Sequence, residues 1–120
     1  MPAKTIEHPK HKTAPLSVRS LCQRFSVRQD LLPRLTGFSL RAVANWSQGQ
    51  PPSAPALKKL TELNRLFESL SRLVERKAIG AWLREPNAAF DGSTPLQVIE
   101  RGESDRLWRM IYEMESGQPD

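Results

Sequence analysis

Residues 56–77 constrain the fold more than any other part of the chain. Their apolar side chains recur every three or four positions, which is the spacing of one face of an α-helix. These side chains belong to Leu57, Leu60, Leu63, Leu66, Phe67, Leu70, Leu73 and Val74. The pattern predicts one helix of about 22 residues, which is about 33 Å long at 1.5 Å per residue. In a chain of 120 residues, such a helix either packs against the remaining segments or leaves a surface through which two copies associate.

Three shorter helical patterns precede the long one, and each starts at or near a serine, a favoured N-cap residue. They cover residues 16–25 with Ser17 as the cap, residues 26–36 with Ser26, and residues 40–47 with Ser39. Gly37 and Gly49 follow the second and third patterns, as glycine commonly does at the end of a helix. Pro33 lies inside the second pattern, where a mid-helix proline loses a hydrogen bond, so we expect it near the start of that helix.

The segment after the long helix contains shorter helices separated by turns. Residues 78–84 continue or restart the helix, and Asp91-Gly92 forms a turn. Thr94 and Pro95 are typical of the first positions of a helix, and Gly102 marks its end. Residues 103–115 form the last helical pattern. The sequence therefore predicts an all-α fold.

The charge of the chain is distributed unevenly. The net charge is +5. Residues 1–59 contain ten Lys/Arg and two Asp/Glu, a net charge of +8, whereas residues 60–120 contain eight and eleven, a net charge of −3. The N-terminal arm, residues 1–15, holds only three lysines and one glutamate and does not explain the difference. This asymmetry indicates that the first half meets a polyanion and the second half a different partner.

Several classes of protein are disfavoured by the same sequence. No apolar run approaches the roughly 20 residues that span a bilayer, and residues 1–13 carry no secretion signal, so we expect a cytoplasmic protein without a membrane span. Cys22 is the single cysteine and lies on an apolar helical stripe, which favours a small buried side chain. His8 and His11 form no convincing metal site. We expect no enzyme, no cofactor and no metal.

Residues 37–49 contain the signals of a turn followed by a short, capped helix. A turn glycine at Gly37 is followed by an N-cap at Ser39 and two inward residues, Val43 and Trp46, before Gly49 closes the helix. With the preceding helix, residues 27–49 resemble the Xre/Cro-type helix-turn-helix of bacterial and phage repressors. Pro33 departs from the family, which usually has a small residue there.

The resemblance implies that residues 40–47 form a recognition helix that enters the major groove of DNA. Arg41 is suited to the O6/N7 edge of guanine and Asn45 to the N6/N7 edge of adenine. The candidate DNA contacts are Arg28, Gln29, Ser39, Arg41, Ala42, Asn45 and Gln48. The alternative is that Arg41 and Asn45 are ordinary solvated surface residues on a fold that does not bind DNA.

A second resemblance covers the C-terminal part. The order Trp82-Leu83, Pro86-Asn87, Phe90 before Gly92, Thr94-Pro95-Leu96, Val98-Ile99 and Gly102 is present. It is similar to the toxin-binding domain of Xre/MbcA/ParS-type antitoxins, and both resemblances together cover residues 17–114. They imply four segments, which are a disordered basic arm over 1–15, a helix-turn-helix domain over 16–55, a connecting helix over 56–77 and a toxin-binding domain over 78–120.

The family resemblance implies an antitoxin of a type II toxin–antitoxin system. Its partner would be a RES-domain toxin that degrades NAD, and a homodimer would repress the shared operon at an inverted repeat. The candidate toxin contacts are Trp82, Asn87, Phe90, Trp108, Arg109, Tyr112 and Glu113. Two alternatives stay open, since Trp82 and Phe90 also suit a small core and Asn87 suits a turn. The alternative function is a stand-alone dimeric helix-turn-helix repressor.

Overall fold

The computed structural model describes residues 17–117, and every regular element in that range is helical. The seven α-helices are α1 Val18–Phe25, α2 Leu32–Thr36, α3 Leu40–Ser47, α4 Ala54–Leu70, α5 Ile79–Leu83, α6 Pro95–Glu100 and α7 Ser104–Glu115. Three 3-10 segments are Gln29–Leu31, Arg76–Ala78 and Ala88–Phe90. The all-α prediction is confirmed. The predicted basic arm over residues 1–15 lies outside the described residues.

The long helix ends earlier than its apolar pattern indicates. α4 stops at Leu70 instead of residue 77, which makes it about 26 Å long. The chain then turns, with the backbone N–H groups of Leu73 and Val74 both donating to the carbonyl of Leu70 at 2.8 Å. Leu73 and Val74 still pack against the core from this turn. Their apolar character therefore continues the repeat without continuing the helix.

The predicted helix over residues 26–36 is also divided. Ser26 does not cap it, because its backbone is left-handed (φ 52°, ψ 42°) and ends α1 instead. A 3-10 turn follows, and α2 begins only at Leu32. Pro33 is the second residue of α2, where its missing N–H removes no helical hydrogen bond. The proline therefore explains why this helix starts late.

A single hydrophobic core joins all seven helices. At its centre the rings of Phe25 on α1 and Phe67 on α4 are both 0% exposed and meet edge to face, with centroids 5.3 Å apart. This geometry is favoured by the charge distribution of aromatic rings. The core continues from there to Leu96 on α6 and Leu107 on α7. The helices before and after α4 thus bury their apolar faces in the same interior.

Two ion pairs at the surface connect segments that pack on the same core. Arg34 on α2 donates two hydrogen bonds to the carboxylate of Glu100 on α6, at 2.7 and 2.8 Å, and this contact lowers the pKa of Glu100. Arg72 pairs in the same way with Glu115 at the end of α7. Each pair links a residue of the first 72 positions to one of the last 21. They join segments that are far apart in sequence.

Among the glycines of residues 17–117, Gly80 on α5 lies closest to the backbone of another segment. A Cβ built on this glycine would lie 1.9 Å from the carbonyl oxygen of Ser26 and 2.8 Å from its carbonyl carbon. Real side chains do not occupy such positions, so only glycine allows α5 to rest on the turn after α1. The sequence offered no indication of this role.

We expect Gly80→Ala to destabilise the protein by about 3 kcal/mol, because the added methyl group meets backbone that cannot move aside. Helix propensity alone predicts the opposite sign, a gain of up to about 1 kcal/mol for replacing glycine inside a helix. Denaturant unfolding followed by circular dichroism measures the difference. Ala81→Gly, the reverse exchange at the exposed neighbouring position, is the matched control, with a loss of at most about 1 kcal/mol. A Gly80→Ala variant as stable as the parent chain would contradict the contact.

Candidate functional site

The helix-turn-helix region is held by a small set of contacts around α3. Gly37, with φ 82°, makes the turn after α2. The Ser39 hydroxyl accepts the N–H of Ala42 at 3.0 Å and caps α3, as predicted. Val43 is fully buried between the helices. The ring of Trp46 meets Phe38 edge to face at 5.5 Å. These contacts fix which face of α3 points outward.

That outward face contains the predicted base-reading residues. Arg41 is exposed, whereas Ala42 and Asn45 are partly exposed. Within residues 17–117, the guanidinium of Arg41 forms no ion pair and no side-chain hydrogen bond. Gln48 is exposed at the C-terminal end of the helix. The structure thus brings four of the candidate contacts together along one short helix and its C-cap, and the cation among them has no partner within residues 17–117.

The two candidate contacts before α2 are engaged within the protein. The guanidinium of Arg28 pairs with Asp30 at 3.0 Å, which lowers the pKa of that carboxyl group. Gln29 accepts a hydrogen bond from the Ser47 hydroxyl at 2.7 Å. Gln29 therefore helps to fix the end of α3, and Arg28 must leave Asp30 before it meets a phosphate.

Sequence reasoning missed one basic residue next to α3. The guanidinium of Arg19, on α1, donates to the carbonyl oxygen of Ser47 at 3.3 Å. The contact adds a positive charge at the C-terminal end of α3, where the helix dipole is negative. The basic composition of the first half was the only signal for it, because nothing local in the sequence connects residues 28 positions apart.

The loop between α5 and α6 is closed by its own hydrogen bonds. The Asn87 side chain accepts the N–H of Ala89 at 2.9 Å. Its backbone N–H donates to the Ser93 carbonyl and its carbonyl accepts the N–H of Gly92, both at 3.0 Å. Asp91 adopts a left-handed conformation with φ 56°. Asn87 therefore shapes this turn, which is the alternative that the sequence left open for it.

Phe90 and Trp82 belong to the interior more than to the surface. Phe90 is 2% exposed and lies in the core, so its ring is not available to a partner protein. The guanidinium of Arg106 covers this ring at 5.6 Å and is paired with Glu103 at 3.1 Å. Trp82 is half-buried and packs against the same core. The core alternative describes Phe90 correctly, because a ring in this tight loop closes the space above α6.

α7 presents the most exposed aromatic surface in the described part of the chain. Leu107 and Ile111 face the core, while Tyr112 is 73% exposed and Trp108 36% exposed on the other side. Glu113 is exposed beside them, and Arg109 is only loosely paired with Asp105 at 3.7 Å. Four of the candidate toxin contacts therefore lie together on one helix.

Trp108 also forms the wall of a cleft between α7 and α4. The cleft has a volume of about 220 Å³ and a floor that includes Leu63, Leu66 and Ile99. Lys59 and Arg65 stand among its lining residues. No local sequence pattern singled out these two cations. The structure places them beside the exposed aromatic surface.

Cys22 is half-buried, and burial raises the pKa of its thiol to about 11, which keeps it protonated at neutral pH. Residues 17–117 contain no group of three His, Cys, Asp or Glu side chains that is suited to a metal ion. No helix in that range is long and apolar enough to cross a membrane.

The chain is similar to known antitoxins in sequence and in fold. Residues 62–109 match the family described as the antitoxin Xre/MbcA/ParS C-terminal toxin-binding domain. The chain is 24% identical over 102 residues to the mycobacterial cidal antitoxin MbcA of Mycobacterium tuberculosis and of Mycobacterium bovis, which covers 84% of this chain and 90% of the relative. It also superposes on a chain of the M. tuberculosis MbcT-MbcA toxin-antitoxin complex with a TM-score of 0.68 and 24% identity, over 85% of this chain and 93% of that one.

Because Phe90 is buried and Tyr112 is exposed, we expect their substitutions to have very different effects on stability. Phe90→Ala should lower the free energy of unfolding by about 3–5 kcal/mol, because it leaves a cavity in the core. Tyr112→Ala should change it by no more than about 0.5 kcal/mol, as an exposed substitution does. Urea unfolding of both variants measures these values. A Phe90→Ala variant with parental stability would show that the ring is a surface residue.

Proposed function

We propose that this chain binds and neutralises a protein toxin and represses its own operon through α2 and α3. Its residues 62–109 match the family described as the antitoxin Xre/MbcA/ParS C-terminal toxin-binding domain. The toxin of this proposal is a RES-domain enzyme that degrades NAD. The antitoxin acts as a homodimer in the cytoplasm, by binding and not by catalysis. The match of residues 62–109 to a toxin-binding family is the observation that carries the proposal.

The exposed side of α7 supports this role physically. Large aromatic side chains that are held on a rigid helix are frequent energetic centres of protein interfaces. Trp108 and Tyr112 stand one helical turn apart on that side. Because Leu107 and Ile111 anchor α7 in the core, the aromatic surface is already formed before a partner arrives. Little conformational entropy is then lost on binding.

The charge of the C-terminal half fits the proposed class of toxin. An enzyme that binds NAD needs a pocket for a pyrophosphate, and such pockets are commonly basic. Residues 60–120 carry a net charge of −3, which complements a basic pocket. The carboxylate of Glu113 forms no ion pair within residues 17–117, whereas Glu115 is already paired with Arg72. Glu113 is therefore the acidic residue on α7 that we assign to the toxin.

The proposed DNA-binding function rests on α3 and on charge. α3 has the cap, the buried anchor and the outward cation that a recognition helix requires. The net charge of +8 over residues 1–59 favours the phosphate backbone, which supplies most non-specific affinity. A symmetric dimer reads a symmetric site, so the proposed operator is an inverted repeat.

The antitoxin function predicts a specific complex. Co-expression with the adjacent gene should give a stable complex on affinity pull-down and should restore growth that the neighbour alone prevents. Tyr112→Ala should weaken the complex by about 2 kcal/mol, or about thirtyfold in Kd, measured by calorimetry. Leu57→Ala, which removes an exposed leucine from α4, is the matched control and should bind normally. A neighbour that is neither toxic nor bound would contradict the proposal and leave a stand-alone dimeric repressor.

The DNA-binding function predicts a defect at one base position. Arg41→Ala should reduce operator affinity by about 1–3 kcal/mol and relax the preference at one base pair, as loss of a bidentate guanine contact does. Electrophoretic mobility shifts with operator variants measure both effects. Arg109→Ala removes an exposed arginine from α7 and serves as the control. If Arg41→Ala and the parent chain bind all operator variants alike, α3 does not read bases.

A further inference from the structure

Leu40 is the first residue of α3, and its side chain is 60% exposed. Its position is well defined, because Ser39 caps the helix and Val43, one turn further along, is fully buried in the core. The next residue is the exposed Arg41. The N-terminal end of the proposed recognition helix thus presents an aliphatic side chain beside a cation. Neither charge nor capping explains a leucine there.

We propose that Leu40 contacts the C5-methyl group of a thymine in the major groove, next to the base that Arg41 reads. This inference rests on the proposed DNA-binding function and adds a specificity-determining residue to it. The first residues of a recognition helix approach base edges most closely. Among those edges only thymine presents an apolar group, its methyl, to the major groove. An exposed leucine at this position therefore has one complementary surface on unmodified DNA.

The same chemistry makes DNA the ligand instead of RNA. Uracil lacks the C5-methyl group, so an RNA duplex presents nothing apolar at this position. The major groove of A-form RNA is also too deep and narrow for side chains to read. Leu40 and Arg41, which are adjacent in the sequence, would thus select a thymine beside a guanine in B-form DNA.

The test compares thymine with uracil in the same duplex. Footprinting of the DNA segment upstream of the chain's own gene defines the bound duplex. Synthetic copies then carry deoxyuridine at one thymidine at a time, which removes a single methyl group and leaves base pairing unchanged. We expect one position in each half-site at which this exchange weakens binding about fourfold, the effect of losing one buried carbon from an apolar contact.

A Leu40→Ala variant completes a double-mutant cycle. It should bind the thymine duplex about as weakly as the parent chain binds the uracil duplex at the sensitive position, and it should no longer distinguish the two. Leu57→Ala is the control, because it removes an exposed leucine outside α3 and should keep the fourfold difference. Circular dichroism verifies that both variants are folded.

The possible failures are distinguishable. Binding that depends on Arg41 but is equal for thymine and uracil at every position would overturn the role of Leu40 and leave the DNA-binding function intact. A Leu40→Ala variant that keeps the thymine preference but loses self-association, measured by sedimentation, would assign the leucine to a protein interface and overturn the inference. The absence of binding to any upstream fragment, even at low salt, would refute DNA binding itself.

Discussion

The contact of Gly80 with the carbonyl group of Ser26 is the constraint on which the arrangement of the helices depends. The left-handed turn at Ser26 ends α1 and exposes its backbone to an approaching segment. α5 occupies that position only because residue 80 has no side chain. The chain after α4 is thereby brought back onto the first helix, and Ile79 and Leu83 enter the core on both sides of the glycine.

A polar cluster lies at Phe25, the residue before Ser26. The guanidinium groups of Arg24 and Arg76 lie over the Phe25 ring at 4.9 and 5.6 Å. Glu68 pairs with both arginines, at 2.5 and 3.5 Å. An aromatic ring, two cations and one carboxylate therefore hold α1, α4 and the 3-10 segment before α5 together. Such a network stabilises the boundary between core and solvent more than any single exposed ion pair would.

Local signals predicted much of this fold, and contacts between distant segments explain the rest. The N-caps of α1, α3 and α6 were predicted correctly at Ser17, Ser39 and Thr94, because a hydroxyl cap is readable from a few neighbouring residues. The end of α4 was missed, since Leu73 and Val74 stay apolar in a turn that packs on the core.

The candidate sites show the same division. The exposed face of α3 followed from helical spacing, whereas the sequence did not decide which residues of α7 are exposed. The burial of Phe90 was left open, because spacing does not reveal what a loop covers. Arg19, Lys59 and Arg65 were missed for a similar reason, since each meets its neighbours only in three dimensions.

The contact between α2 and α6, which includes the ion pair between Arg34 and Glu100, affects how the protein unfolds. α2, which orients α3, packs against α6 and shares its interior, so neither half keeps a complete core without the other. A domain of this kind unfolds as one cooperative unit. A protease cut that released the segment after α4 would remove the helix against which α2 packs. The exposed face of α3 and the aromatic surface of α7 would then be lost together.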